Sequence, residues 1–263
     1  MTGVEKVVRR ERAVTGAGLA VMVLLAWAYV WQGAGMGMSA LDMTSVSLFP
    51  HREADMAGEM ESSWPVVVAM WWVMMIAMMT PSAAPFVLLY GAALRHHSAA
   101  RGNACVPTAF LAAGYLSVWL LFSIGAAVLQ AALQPAGLLS AMMLWSKSAL
   151  LSAAILAAAG LYQLSPLKRV CLAQCRSPVQ FLARHWRPGR SGAFMIGFRH
   201  GAFCIGCCWT LMALLFVGGV MNLVWIALLT LLVLTEKLAP AGEAIGKATG
   251  VVLLVWAGAT LLA

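Results

Sequence analysis

The chain has 263 residues, of which 62% are hydrophobic and only 10% charged, and its formal net charge is +8. Soluble domains carry about 25% charged residues, so a soluble fold is excluded, and several apolar runs here reach the ~20 residues that cross a ~30 Å hydrocarbon layer. The excess positive charge lies in loops between those runs and no nucleic-acid-binding motif accompanies it, which excludes a nucleic-acid partner and points to a lipid bilayer.

The runs predict an all-α fold, a polytopic transmembrane helix bundle of about seven helices. Residues 1–13 form a basic cytoplasmic N-terminus with Lys6, Arg9, Arg10 and Arg12. A first helix follows at 14–33, and WAYVWQGAGMGM offers no small-residue cleavage site, so the helix is read as retained. The rest of the segment 14–63 is an acidic outer loop with Asp42, Glu53, Asp55, Glu59 and Glu61 against Arg52. The same loop holds Met36, Met38, Met43, His51, Met56 and Met60. The membrane domain, 64–263, places helices at 64–91, 107–131, 148–164, 194–218, 221–236 and 247–262. Met142 and Met143 fall in a second outer loop, 132–147. The loop 165–193 is basic, with Lys168, Arg169, Arg176, Arg184, Arg187 and Arg190, and Lys237 and Lys247 mark the last short loop. Threading seven helices puts all the basic loops on one side. That side is the cytoplasm of a bacterial inner membrane, with the N-terminus in and the C-terminus out.

No Asp or Glu occurs between Ser62 and Thr235. A catalytic carboxylate pair and a proton-coupled carrier built on buried acids are excluded on that ground, and the missing acids argue against an enzyme. The chemistry must come from other side chains. The stretch RHGAFCIGCCW, Arg199 to Trp209, offers four. At about 100° per residue, Cys204 lies about 40° and Cys207 about −20° from His200, with Cys208 near 80° at the edge of that face. Imidazole and thiolate suit zinc, copper and iron–sulfur centres, and sulfur favours Cu(I). One helix cannot surround an ion, so further ligands must come from elsewhere. Buried cysteine is also an ordinary small hydrophobe, and packing alone is the competing explanation.

Cys171 and Cys175, spaced i, i+4 in KRVCLAQCRSP, share a face if that segment is helical. His185 follows ten residues after Cys175. In the second helix Met70, Met74 and Met78 form one thioether row and Met75 and Met79 another. Thioether is an adequate Cu(I) ligand, although methionine also packs well in irregular helix interfaces. Met78 lies about 21 Å in from Trp64 on the outer side, and Cys204 to Cys208 lie roughly 12 to 18 Å in from Ile196 on the inner side. The two sets therefore reach adjacent depths. Pro81 is expected to free a carbonyl and kink the second helix there.

The stretches AMMTPSAAPFVLLY, GLYQLSPLKRVCLAQCRSP, RHGAFCIGCCWTLMALLFVGGVMN and LTEKLAP resemble the bacterial domain-of-unknown-function family 2182, described as predicted metal-binding integral membrane proteins. The likeness runs from residue 64 to the C-terminus. It implies a multi-helix membrane fold and metal binding centred on Cys171, Cys175, His200, Cys204, Cys207 and Cys208, and it names no metal. The residues favour a membrane protein that handles Cu(I) in uptake, transfer or loading of a copper enzyme; zinc and iron–sulfur remain alternatives. Its partners would be a membrane copper enzyme or a copper chaperone. Two other functions stay open: a membrane thiol–disulfide electron relay using Cys204 and Cys207, and a non-catalytic assembly or scaffold subunit.

Overall fold

A computed structural model describes residues 3–35, 44, 63–97, 105–140 and 144–262. Met36, Met38, His51, Met56, Met60, Met142 and Met143 lie outside the described residues. Among the described residues the fold is all helix, with a single isolated bridge between Leu139 and Ser146.

The chain runs through α1 (Gly3–Trp31), α2 (Trp64–His97), α3 (Cys105–Leu133), α4 (Ala149–Leu164), α5 (Pro166–Arg176), α6 (Pro178–His185), α7 (Gly189–Ala213), α8 (Leu215–Gly218), α9 (Leu223–Leu238) and α10 (Gly242–Leu262). Every predicted helix is present. Crossing capacity differs from the expected seven. Among the described residues five segments are long and apolar enough to span: 12–31, 64–95, 105–133, 189–218 and 242–262. α4 and α9 have 16 residues each, about 24 Å of helix, short of a ~30 Å layer. A sixth span arises only if α4 and α5 count as one, bent by 64°.

Local chemistry accounts for that bend. Ser165 is extended, ends α4, and accepts a hydrogen bond from the Lys168 amide as N-cap of α5, with Pro166 in the first helical position. The basic loop 165–193 thus holds two short amphipathic helices, which a search for continuous apolar runs does not see. At the other end of the bundle, Asn222 caps α9 by accepting from the amides of Val224 and Trp225. The GGVMN turn makes the expected reversal, with Gly219 at φ 96°. α2 runs unbroken through Pro81 and Pro85, so the expected kink does not interrupt it.

Glycine sets the closest helix approach. A Cβ on Gly197 of α7 would stand 1.9 Å from the Leu111 carbonyl oxygen of α3, and one on Gly114 would stand 2.1 Å from that of Phe194. Backbone contact of this kind is how membrane helices gain packing without a hydrophobic drive. Leu24, Leu25, Leu121, Leu161, Leu228 and Val255 are exposed on the outside of the bundle, a surface that suits lipid. The interior centres on α2, where Met70, Trp71, Met74, Met75, Met78 and Met79 are all buried.

Three charged residues correct the sequence reading. Lys168 and Lys237, expected in cytoplasmic loops, are buried, and so is Glu236. Lys168 Nζ pairs with Glu236 Oε2 at 2.6 Å, and Gln163 Nε2 donates to Glu236 Oε1 at 2.8 Å. The exclusion of buried acids therefore does not extend to the end of α9. Burial is tolerated there because every partner in the pair has its counter-charge.

Candidate metal centre

α2 and α7 run antiparallel and meet side chain to side chain. Trp71 tilts against Phe216 of α8 (centroids 5.3 Å), Met79 meets Cys208, and Phe86 stacks on His200 (centroids 3.8 Å). Met79 is about 22 Å along α2 from Trp64, and Cys204 is about 22 Å along α7 from Gly189, so both sit near the middle of their helices.

Three thiols of α7 gather there: Cys204, Cys207 and Cys208, each at most 2% exposed. Cys208 Sγ lies 4.0 Å from Met79 Sδ. The Cys207 and Cys208 thiols donate to the Cys204 carbonyl at 3.1 and 2.9 Å. Cys204 Sγ meets the Tyr115 hydroxyl of α3 at 3.1 Å and receives a hydrogen bond from Lys237 Nζ of α9 at 2.8 Å. Lys237 also donates to Ser82 Oγ at 3.1 Å. Ser82 and Tyr115 both donate to the Met79 carbonyl, at 2.9 and 3.3 Å. Four helices thus fix the cluster: α2, α3, α7 and α9.

α5 extends it sideways. Cys175 packs against the buried core that holds Cys207. Cys171 leans on Gly206, where an added Cβ would come within 2.9 Å of its sulfur. The Gly206 carbonyl accepts a hydrogen bond from Tyr162 of α4. None of the six cysteines is in a disulfide.

The predicted ligands separate into groups. Cys204, Cys207, Cys208, Cys171, Cys175 and Met79 come together. Met70, Met74, Met75 and Met78 are buried on the Trp64 side of Met79 along α2, in the same apolar core. His200 shares the helix face, as the spacing implied, but its ring is packed by Phe86, the edge of Phe181 (5.3 Å) and Tyr115 (6.0 Å), and its Nδ1 has no partner. His185 sits beside Phe181, with Nδ1 3.0 Å from the Phe181 carbonyl oxygen, away from the thiols. Among the described residues no three His, Cys, Asp or Glu side chains are placed to hold one metal ion. The arrangement is instead a run of neighbouring sulfurs, with methionine as a partner. Soft donors in small number suit Cu(I) better than Zn(II), which takes four tetrahedral ligands in its structural sites.

Sequence reasoning passed over Tyr115, Ser82 and Lys237. A signal for Lys237 existed: LTEKLAP closes an apolar run, so its two charges sit on the last helical turn rather than in a free loop.

A family model described as the copper chaperone PpoB2 matches residues 68–260. No curated protein and no solved structure matches the chain. The matched stretch is nearly the one whose motifs carried the resemblance to family 2182; it supports the copper relation without bearing that family's name. It covers every cysteine and buried methionine of the centre, and on that match the chain belongs to the PpoB2 copper chaperone family.

Proposed function

We propose that the chain carries Cu(I) within a bacterial inner membrane and that the ion is held where Cys208 and Cys204 meet Met79. The observation that carries this reading is the Cys208–Met79 sulfur pair at 4.0 Å, buried beside Cys204. Copper is the cargo. The thioethers of Met70, Met74, Met75 and Met78 would receive it from the outer side, where Met36, Met38, His51, Met56, Met60, Met142 and Met143 would collect it. Cys207, Cys175 and Cys171 continue the sulfur run toward the inner end of the bundle. Exchange between soft donors requires no nucleotide and no acidic residue in the path. The recipient would be a membrane copper enzyme or a second chaperone.

Anaerobic loading of the purified chain with Cu(I) tests the reading. The wild type should retain copper through desalting, and Cys204→Ser/Cys208→Ser should lose it. Equal retention by the double variant, or none by the wild type, would sink the proposal.

The packing of Cys175 against the core that holds Cys207 favours a second reading, thiol–disulfide exchange with a partner thiol. That reading requires Cys175→Ser to trap a mixed disulfide at Cys207. Copper retention by Cys175→Ser with no trapped species would count against it.

A further inference from the structure

Sulfur donors alone do not select Cu(I), because thiolates are also ordinary zinc ligands. The charge around the sulfurs supplies what their softness lacks. Lys237 Nζ stands 2.8 Å from Cys204 Sγ and is anchored from the other side by Ser82 Oγ at 3.1 Å. The residue is only 7% exposed. Its neighbour Glu236 does not cancel the charge, since both carboxylate oxygens are engaged, by Lys168 at 2.6 Å and Gln163 at 2.8 Å. No other acidic residue lies between 62 and 242.

We propose that Lys237 is the specificity-determining residue of the sulfur site, a fixed positive charge that admits a monovalent ion and rejects divalent ones. The inference rests on the Cu(I) reading above. A sulfur–metal bond is about 2.3 Å long, so any metal on Cys204 lies within about 5 Å of the ammonium. Repulsion at that range scales with ionic charge and is weakly screened in a buried site. A divalent ion therefore meets twice the penalty that Cu(I) meets. The same contact keeps the cluster compact before copper arrives, because the ammonium is a cation already seated beside the thiol.

The test is competition titration of the purified full-length chain with Cu(I) and with Zn(II), in the wild type, Lys237→Met and Lys237→Arg. Lys237→Met should raise Zn(II) affinity relative to Cu(I) by about tenfold or more, whereas Lys237→Arg should keep the wild-type ratio. A merely structural lysine would move both affinities together. An unchanged ratio in Lys237→Met, or the same shift in Lys237→Arg, overturns the proposal. Should Lys237→Met not fold, Lys237→Gln is read by the same ratio. A wild type that binds Cu(I) with no change of ratio in the variants refutes the charge filter alone. A wild type that takes up no Cu(I) refutes the copper reading and this inference with it.

Discussion

At the scale of single residues, the α3–α7 crossing depends on two missing side chains. Gly197→Ala would drive a Cβ into the Leu111 carbonyl, and backbone cannot rotate aside as a flexible side chain can. Overpacking of this kind costs about 1–3 kcal/mol, so the variant should unfold at lower temperature in detergent. Gly125→Ala and Gly258→Ala, which lie inside helices and meet nothing within 4 Å, should be as stable as wild type or up to about 1 kcal/mol more stable. Equal melting of all three variants would remove the crossing from the account. The cysteines are the residues most legible from the chain alone. Helical arithmetic put Cys204 and Cys207 on one face, and both lie at the centre. The same arithmetic placed His200 there, but its ring is taken up by Phe86 and Phe181, neighbours on other helices that spacing cannot reveal.

At the scale of elements, the buried pair Lys168–Glu236 fastens α5 to α9, and Arg176 of α5 reinforces it by donating to the carbonyls of Glu236, Ala239 and Pro240. This fastening holds Cys171 and Cys175 against α7. Removing one partner strands a buried charge, which costs about 3–5 kcal/mol, whereas replacing both by apolar residues is often close to neutral. Glu236→Gln should therefore destabilise the protein strongly and Lys168→Met/Glu236→Leu much less, as read by thermal unfolding. A double variant as unstable as the single one would show that the pair is not what joins the helices. Loop charges hid this fastening. Lys168 and Lys237 counted as positive-inside markers, and α5 and α6 were invisible because their apolar residues alternate with charge. α2, α3 and α7 were legible because each is one long apolar run.

At the scale of the whole molecule, antiparallel neighbours collect the basic ends at one side. Arg95 near the end of α2, Arg184 of α6 and Arg187 and Arg190 around the start of α7 share it, as the α2–α7 pairing and the Phe86–Phe181 and Tyr90–Trp186 contacts imply. With that side cytoplasmic, reporter fusions following Arg187 should be active only inside the cell and fusions after Leu262 only outside. The opposite pattern would invert the direction assigned to the methionines. The number of full crossings was not legible, since α4 and most of α9 are apolar runs yet too short to span. The meeting of α2 with α7 was not legible either, because equal depth does not make two helices neighbours.

The two sides of the sulfur cluster differ in compliance. The cysteines ride on α7, locked by backbone contact to α3. Met79 rides on α2, where Pro81 and Pro85 each lack the amide hydrogen that would complete a helical rung. A straight sulfur–metal–sulfur bridge spans about 4.6 Å, slightly more than the 4.0 Å between Cys208 and Met79. Were an ion held there, the small widening it demands would fall to the proline-bearing wall. On the proposed copper reading, uptake and release would be a flexing of the methionine helix against the cysteine face, with the uncharged thioether the weaker donor and the first to let go.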